Sequence, residues 1–286
     1  MKNTLVFRIT LLAIVAAGLI LSSCKKDKDD NNNNTDPNYR AAIDNSTAEG
    51  VFNRSYNQIS NASYQSTTKG AKDTIIGCPT LYISASGYPI TVTLDFGSSC
   101  TDSAGITRSG KIISTITCAY ITTGCVVTST FDNYHEIIGG IDYQATGTQV
   151  ITNLGPNTDG HPIYSVDVTG SVISQYGTIT YTSQRENEFY EGYNSWFNPF
   201  DDKYKITGTA SGTDINGDPF AITITDALEF DFMCDLTHWW IIKKGKFDLS
   251  YPGTTYPNIT VDYGTGTCDY TIYVTVNGQT YTISYV

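Results

Sequence analysis

The sequence predicts an all-β fold, either an antiparallel β-sandwich or a curved β-meander, with one short helix near the N-terminus. After about Leu81 the chain is dominated by threonine, isoleucine, valine and tyrosine, residue types that favour strands. Glycine or asparagine interrupts these runs about every ten residues, as the turns of consecutive hairpins do. Strands do not alternate with long amphipathic helices, so the pattern excludes a doubly wound parallel sheet.

Three segments have the composition of two-residue hairpin turns, because glycine and asparagine tolerate the positive φ that such turns need. They are residues 108–111 around Gly110, Asn216-Gly217 and Asn277-Gly278. Each segment lies between two β-rich runs and therefore predicts a hairpin.

One helix is predicted over about residues 47–60. Ser46 and Glu49 fit a capping box, in which the serine caps a backbone N–H and the glutamate reaches back to another. Apolar residues then recur at helical spacing, at Val51, Phe52, Tyr56 and Ile59. We expect this stripe to pack against the main body.

The first 23 residues have the organisation of a bacterial signal peptide. Lys2 and Arg8 precede an apolar run that is too short to span a bilayer and that ends in small residues before Cys24. The sequence Leu-Ser-Ser-Cys at residues 21–24 resembles the lipobox of bacterial lipoproteins. This resemblance implies cleavage before Cys24 and attachment of fatty acyl chains to that residue, and several chains together give stable membrane anchoring.

Residues 24–44 are predicted to be the lipidated cysteine and a flexible tether, and residues 45–286 the β-rich domain. The tether is rich in lysine, aspartate and asparagine and has no apolar residue that supports packing before about Tyr39. Lipobox and charged tether together resemble surface lipoproteins of the Bacteroidetes type. The resemblance implies an outer-membrane protein, displayed at the cell surface, and implies no activity; a spacer that faces the periplasm is the alternative.

The chain is acidic, with a formal net charge of −11. Removal of the signal peptide takes away two basic residues and no acidic one, which makes the mature chain still more negative. Nucleic acid is excluded as a partner because its binding needs basic patches, so the expected membrane contact is the lipid on Cys24.

Besides Cys24 the chain has six cysteines, an even number in an exported protein, which predicts disulfides. They are Cys78, Cys100, Cys118, Cys125, Cys234 and Cys268. Their number does not fix the pairing. No Cys-x-x-Cys occurs and cysteine does not cluster with histidine, so neither a metal site nor a redox motif is predicted.

An internal repeat indicates a choice among the pairings. Tyr-Pro, Asp-aromatic-Gly and Cys follow one another at residues 88–100 and again at 256–268, and each cysteine is followed at equal distance by a glycine, Gly110 or Gly278. If the two strand-turn-strand units are equivalent, each cysteine needs an upstream partner. This reasoning predicts the bridges Cys78–Cys100, Cys118–Cys125 and Cys234–Cys268.

No catalytic residues and no cofactor are predicted. The three histidines have no Gly-x-Ser-x-Gly elbow to pair with, and His135-Glu136 lacks the second histidine of a zinc protease. Glu186 and Glu188 would share one face of a strand, as paired acids of a glycoside hydrolase do, but an ordinary solvated face explains them better. The acids around Asn216-Gly217 are assigned to a hairpin rather than to a calcium loop.

Aromatic residues provide the remaining candidate site. Exposed rings stack on the apolar faces of sugars, while buried ones serve packing. The possible glycan-binding residues are Tyr190, Tyr193, Trp196, Trp239 and Trp240. The sequence therefore favours a lipoprotein with a non-catalytic interaction or structural role, with a glycan-binding module as the alternative and a glycoside hydrolase behind it.

Overall fold

The computed structural model describes residues 39–68, 74–75, 78–84, 87–102, 105–195, 201–231, 242–268 and 271–284. Within them lie one helix, α1 (Tyr39–Thr68), and fifteen strands. The strands are β1 (Thr74–Ile75), β2 (Thr80–Ser84), β3 (Ile90–Asp95), β4 (Cys100–Thr101), β5 (Thr107–Ile116), β6 (Val126–Ile138), β7 (Ile141–Pro156), β8 (Pro162–Ser174), β9 (Gly177–Glu191), β10 (Lys203–Thr213), β11 (Pro219–Asp231), β12 (Ile242–Ser250), β13 (Ile259–Thr265), β14 (Thr271–Val276) and β15 (Gln279–Ser284).

The strands form one antiparallel sheet in which neighbours in sequence are neighbours in space. Only β4 departs from this path, because it pairs with β5 beside β3. The predicted all-β class with one helix is confirmed, and of the two predicted architectures the structure is the meander. Short turns suffice for such a path, and both Asn-Gly turns lie where they were predicted, with Asn277 at φ 52° and Gly278 at φ 74° between β14 and β15.

The hairpin predicted around Gly110 is wrong. Gly110 lies inside β5, where the register against β6 shifts, and its φ is 78°. Its N–H donates to the carbonyl oxygen of Gly97 at 3.0 Å, and a Cβ at this position would collide with the backbone of Asn133. The glycine therefore allows a β-bulge rather than a turn.

The two predicted repeat units are alike only in their first halves. Asp95 accepts a hydrogen bond from the N–H of Gly97 at 2.9 Å, and Asp262 accepts one from Gly264 at 2.8 Å. Beyond the cysteines the units differ, because Gly110 is a bulge within a strand whereas Gly278 belongs to a turn.

Helix α1 is longer than predicted at both ends. Ser46 lies inside it rather than at its start, so the predicted capping box is wrong, and residues 39–44 are helical rather than part of a tether. The buried positions recur every three or four residues along the whole helix, and many are small or polar. They are Ala41, Asp44, Asn45, Ala48, Val51, Phe52, Ser55, Tyr56, Ile59, Ala62, Ser63 and Ser66.

The buried face of α1 crosses the sheet diagonally. Near its start, the Asp44 carboxylate accepts the backbone N–H of Ile215 in the β10–β11 turn at 2.9 Å. At its middle, the Phe52 ring lies 5.7 Å from that of Tyr181 on β9. Near its end, the Tyr120 hydroxyl from the β5–β6 turn donates to Ser60 at 2.9 Å. We call the sheet face beneath α1 the inner face and the opposite one the outer face.

A buried ion network links the middle of α1 to the sheet. Glu136 on β6 has no solvent exposure, and its two carboxylate oxygens lie 2.7 Å from Arg54 Nε on α1 and 3.0 Å from Arg108 Nε on β5. The Tyr134 hydroxyl donates to the same carboxylate at 2.7 Å, and Arg108 also contacts Asp102. A buried carboxylate is tolerated only when it is paired and hydrogen-bonded in this way.

The structure contains the predicted bridge between Cys78 and Cys100, whose Cα atoms are 5.6 Å apart. Cys268 is also in a disulfide. Its predicted partner Cys234 lies outside the described residues, as does Cys24. The predicted bridge between Cys118 and Cys125 is not present: both are free thiols, and the Cys125 Sγ lies 2.9 Å from the carbonyl oxygen of Cys118. In the described part of the chain, no helix is long and apolar enough to cross a membrane.

We predict that Glu136→Gln lowers the free energy of unfolding by about 3 kcal/mol, because it removes the charge between two guanidinium groups at a site closed to solvent. Urea denaturation measures the loss. Glu229→Gln is the matched control: Glu229 pairs with a well-exposed Lys244 at 3.1 Å, and its loss should cost less than about 1 kcal/mol. Equal losses for the two variants would contradict a special role of Glu136.

Candidate binding site on the outer face

The outer face carries rows of threonine that the cross-strand registers align. Directly paired residues of an antiparallel sheet share a face, with about 4.8 Å between neighbouring strands. One uncharged row consists of Thr93, Ile113, Thr130, Thr148, Thr169, Thr182, Ser211, Ala221 and Ser250. A second row, two residues away along each strand, includes Thr91, Thr115, Thr128, Gln184, Thr209, Thr223, Thr260, Thr275 and Thr280.

A shallow groove of about 270 Å³ lies on the outer face of β9, β10 and β11. Its walls present hydroxyl groups, methyl groups and one amide, and no charged side chain lines it. The lining residues are Thr182, Ser183, Gln184, Thr209, Ala210, Ser211, Ala221, Ile222 and Thr223.

A polar cluster lies further along β9, towards the end of the sheet where β9 stops. Glu188 faces outward, and its Oε1 lies 2.6 Å from His161 Nδ1 and 3.0 Å from Asn157 Nδ2. Both partners belong to the β7–β8 turn, whose Asn157 side chain accepts the backbone N–H groups of Asp159 and His161. Burial alone would raise the pKa of Glu188, but His161, Lys205 and Asn157 together lower it.

Tyr190 extends this cluster through a β-bulge. Phe189 and Glu191 pair with adjacent residues of β10, so Tyr190 is the extra residue between them. The Nζ of Lys205, which pairs with Glu188 across the strands, lies 5.0 Å from the centre of the Tyr190 ring. Burial and the nearby acids, Glu229 first among them, raise the pKa of Tyr190 to about 12. The ring is therefore a neutral aromatic surface beside a cation.

Of the other predicted aromatic residues, Tyr193 joins the same cluster. Its ring centre is 5.9 Å from that of His161 and 6.1 Å from that of Phe189, so it covers the end of the strand. Trp196, Trp239 and Trp240 lie outside the described residues. The strand ends that flank their segments, at Glu191 and Asp231, are at this same end of the sheet.

Alternating charges continue from the cluster across β10, β11 and β12. Glu188 pairs with Lys205, which pairs with Glu229 and then Lys244. Closer to the strand ends, Lys203 Nζ lies 2.7 Å from Glu191, while Asp231 lies 2.7 Å from Lys243. These contacts are satisfied within the sheet, and they hold the side chains around Tyr190 in place.

The geometry does not favour acid catalysis by Glu186 and Glu188. A general acid needs a raised pKa, whereas the surroundings lower the pKa of Glu188. Glu136, next to His135, is occupied by its two arginines. Asp214 accepts the N–H groups of Asn216 and Asp218, which makes its loop a hairpin turn. Among the described residues, no group of three or more histidine, cysteine, aspartate or glutamate side chains is placed to hold a metal ion.

Sequence reasoning missed the residues that organise this site: Asn157, His161 and Lys205. The Asp-Gly-His-Pro context of His161 is typical of a turn and gives no local sign of a distant partner. Its partner Glu188 is 27 residues away along the chain, and the pairing of β8 with β9 brings the two side chains together. The signal available was the alternation of Glu186, Glu188 and Tyr190, which share an outward direction.

Comparison of the chain with protein-family models, with curated proteins and with solved structures gives no match.

Asp202, just before β10, provides a pH-dependent element at this end of the sheet. Burial, followed by the neighbouring charge of Asp201, raises its pKa from 3.8 to about 7, although a hydrogen bond with Tyr204 opposes the shift. The folded protein therefore keeps a proton that the unfolded chain releases. The resulting stability is present below about pH 4 and is lost as the pH rises to about 7.

We predict that Asp202→Asn removes this loss, so that stability changes less between pH 5 and pH 8 than in the parent protein. Urea midpoints at the two pH values measure the effect. Asp248→Asn, at a carboxylate that accepts a hydrogen bond from Thr260 on the exposed outer face, serves as the control and should keep the parent profile. If the stability of Asp202→Asn depends on pH as that of the parent protein does, Asp202 is not the source of the loss.

Proposed function

We propose that this chain is a lipid-anchored outer-membrane protein, displayed at the cell surface through Cys24, with a non-catalytic interaction role. The observation that carries the binding role is a surface that we call the outer strip. It consists of Tyr190, the polar cluster around Glu188 and the groove on the outer face of β9–β11. It combines an aromatic ring, a fixed polar cluster and an uncharged groove on one face.

The two faces of the sheet differ in a way that supports this proposal. Polar groups of the inner face, such as Glu136 and Gln149, are engaged by α1. The outer face of β9 carries no covering element among the described residues, and its threonines remain exposed. A surface supported by a rigid sheet is well suited to binding, since little order is lost when a partner docks.

The anchor and the display follow from the lipobox and the tether. A tether of lysine, aspartate and asparagine separates the folded body from the membrane. We expect an outer-membrane location with the sheet facing outward.

Protease treatment of intact cells tests the display. We predict that the β-sheet domain is released or cleaved while a periplasmic marker protein stays intact, and that Cys24→Ala moves the protein out of the membrane fraction. Resistance of the domain until the outer membrane is opened would contradict surface display. Retention of Cys24→Ala in the membrane would contradict the anchor.

A glycan is the second candidate partner, and the Tyr190–Lys205 pair is the observation that favours it. An aromatic ring stacks on the apolar face of a sugar, while flanking carboxylate, imidazole and amide groups bind hydroxyls. Glu188, His161 and Asn157 supply those groups within one cluster.

We predict that Tyr190→Ala weakens glycan binding about tenfold, because aromatic contacts contribute about 1 kcal/mol or more. A glycan array followed by titration of the best ligand measures the change. Tyr176→Ala is the matched control, since Tyr176 is 53% exposed in the β8–β9 turn at the opposite end of the sheet. Absence of binding across a broad array, or equal affinity for both variants, would remove the glycan site and leave the interaction role to another partner.

A further inference from the structure

We infer that Cys118 and Cys125 are a dithiol that an organic disulfide oxidises to a cross-strand bridge, which makes the β5–β6 turn a redox-modification site. This inference is independent of the proposed function. It rests on the register of the two strands, on the contacts of the two sulfurs and on the difference in their exposure.

The strand register places the two cysteines opposite each other. Ile116 pairs with Val127 at the end of the β5–β6 ladder, and the N–H of Thr117 then donates to the carbonyl oxygen of Val126 at 3.0 Å. Cys118 and Cys125 are the next residues of the connection between β5 and β6, one position beyond Thr117 and Val126. Because Thr117 and Val126 occupy a hydrogen-bonded position, the next pair falls at a non-hydrogen-bonded position. Cα atoms there are about 4.5 Å apart, within the range that disulfides span.

Both side chains point to the inner face, and their sulfurs share one neighbour. Thr117 Oγ1 lies 3.7 Å from Cys118 Sγ and 4.0 Å from Cys125 Sγ. Cys125 Sγ lies 2.9 Å from the carbonyl oxygen of Cys118. The Cys125 thiol is also within hydrogen-bonding reach of the Cys118 thiol, so closing the bond needs only side-chain rotation. The backbone register stays as it is.

The exposure of the two thiols sets the order of the reaction. Cys118 is half-buried, whereas Cys125 is 1% exposed. Burial and the neighbouring Cys118 raise the pKa of Cys125 to about 11, which disfavours it as the first nucleophile. The Cys118 thiolate therefore attacks the external disulfide RSSR, forms a mixed disulfide and releases one thiolate RS⁻. Cys125 then attacks the Cys118 sulfur and releases the second RS⁻.

The overall reaction balances. Two protein thiols are oxidised to one disulfide, one external disulfide is reduced to two thiols, and the two thiol protons pass to the released RS⁻ groups. No further co-reactant is required.

The bridge would close a turn that is already fixed to the helix. Tyr120, within the turn, donates its hydroxyl to Ser60 at 2.9 Å, and its N–H donates to Thr67 at 3.1 Å. Its carbonyl oxygen accepts from Asn153 at 3.0 Å, and its ring stacks on Tyr164 with centres 5.2 Å apart. Oxidation would therefore restrict the motion of the β5–β6 turn where the end of α1 packs on the sheet.

The test equilibrates the purified full-length protein, under native conditions, in buffers with set ratios of reduced and oxidised glutathione. Thiols are then trapped by alkylation and the peptides are mapped. We expect a linked Cys118–Cys125 peptide in the oxidising buffers that separates into two alkylated peptides in the reducing ones, while Cys78–Cys100 stays bonded. Oxidation should raise Tm by about 5 °C, since a short closed loop restricts the unfolded chain.

Single variants separate this mechanism from simple thiol reactivity. Cys125→Ser should accumulate glutathione on Cys118, because no resolving thiol remains, and Cys118→Ser should leave Cys125 unmodified over the same time. Both variants should have the Tm of the reduced parent to within a few degrees, which keeps the test independent of folding. Alkylation of both cysteines in the most oxidising buffer, or a bridge from either one to Cys234 or Cys268, would overturn the inference. Equal glutathionylation of the two variants would contradict the proposal that Cys118 reacts before Cys125.

Discussion

The structure depends on a buried carboxylate at the middle of the helix–sheet interface. Glu136 on β6 holds Arg54 of α1 and Arg108 of β5, and a tyrosine hydroxyl completes its hydrogen bonding. Each of these groups would be costly to bury alone, so they stabilise the fold only together. The network therefore fixes where the helix crosses the sheet, and the packing of Phe52 on Tyr181 follows from that position.

Other polar pairs link α1 to neighbouring strands of the sheet. Gln149 of β7 accepts the Ser55 hydroxyl at 2.7 Å and donates to the Phe52 carbonyl oxygen at 3.1 Å, and Arg185 of β9 lies 3.0 Å from Glu49. Each of these polar pairs forms at only one position of the helix on the sheet, whereas apolar contacts persist when a helix slides along a surface. In the described part of the chain one helix covers the sheet, and these pairs fix the position of that helix on the inner face.

The all-β antiparallel class, two Asn-Gly turns and one disulfide were predictable, because turn chemistry and strand composition are local properties. The choice between a sandwich and a meander was not, because local patterns do not show whether consecutive hairpins form one layer or two. Gly110 was misassigned because a bulge and a turn both require positive φ, and only the approach of Asn133 distinguishes them. The helix was predicted too short because its ends bury Ala41, Asp44 and Ser66 rather than large apolar residues. Their spacing is helical, but a hydrophobic pattern does not count them. For the candidate site, Tyr190 and Tyr193 were predicted from composition, while the contact of His161 with Glu188 depends on a long-range register that the sequence does not encode locally.

Native-state hydrogen exchange of the helix amides tests most directly whether α1 and the sheet are one cooperative unit. The account predicts that amides from Val51 to Ile59 open with free energies within about 1 kcal/mol of those in β6–β9, because the Glu136 network allows neither part to open alone. Exchange of the helix amides many orders of magnitude faster than that of the central strands would contradict it, since the sheet would then persist without its helix.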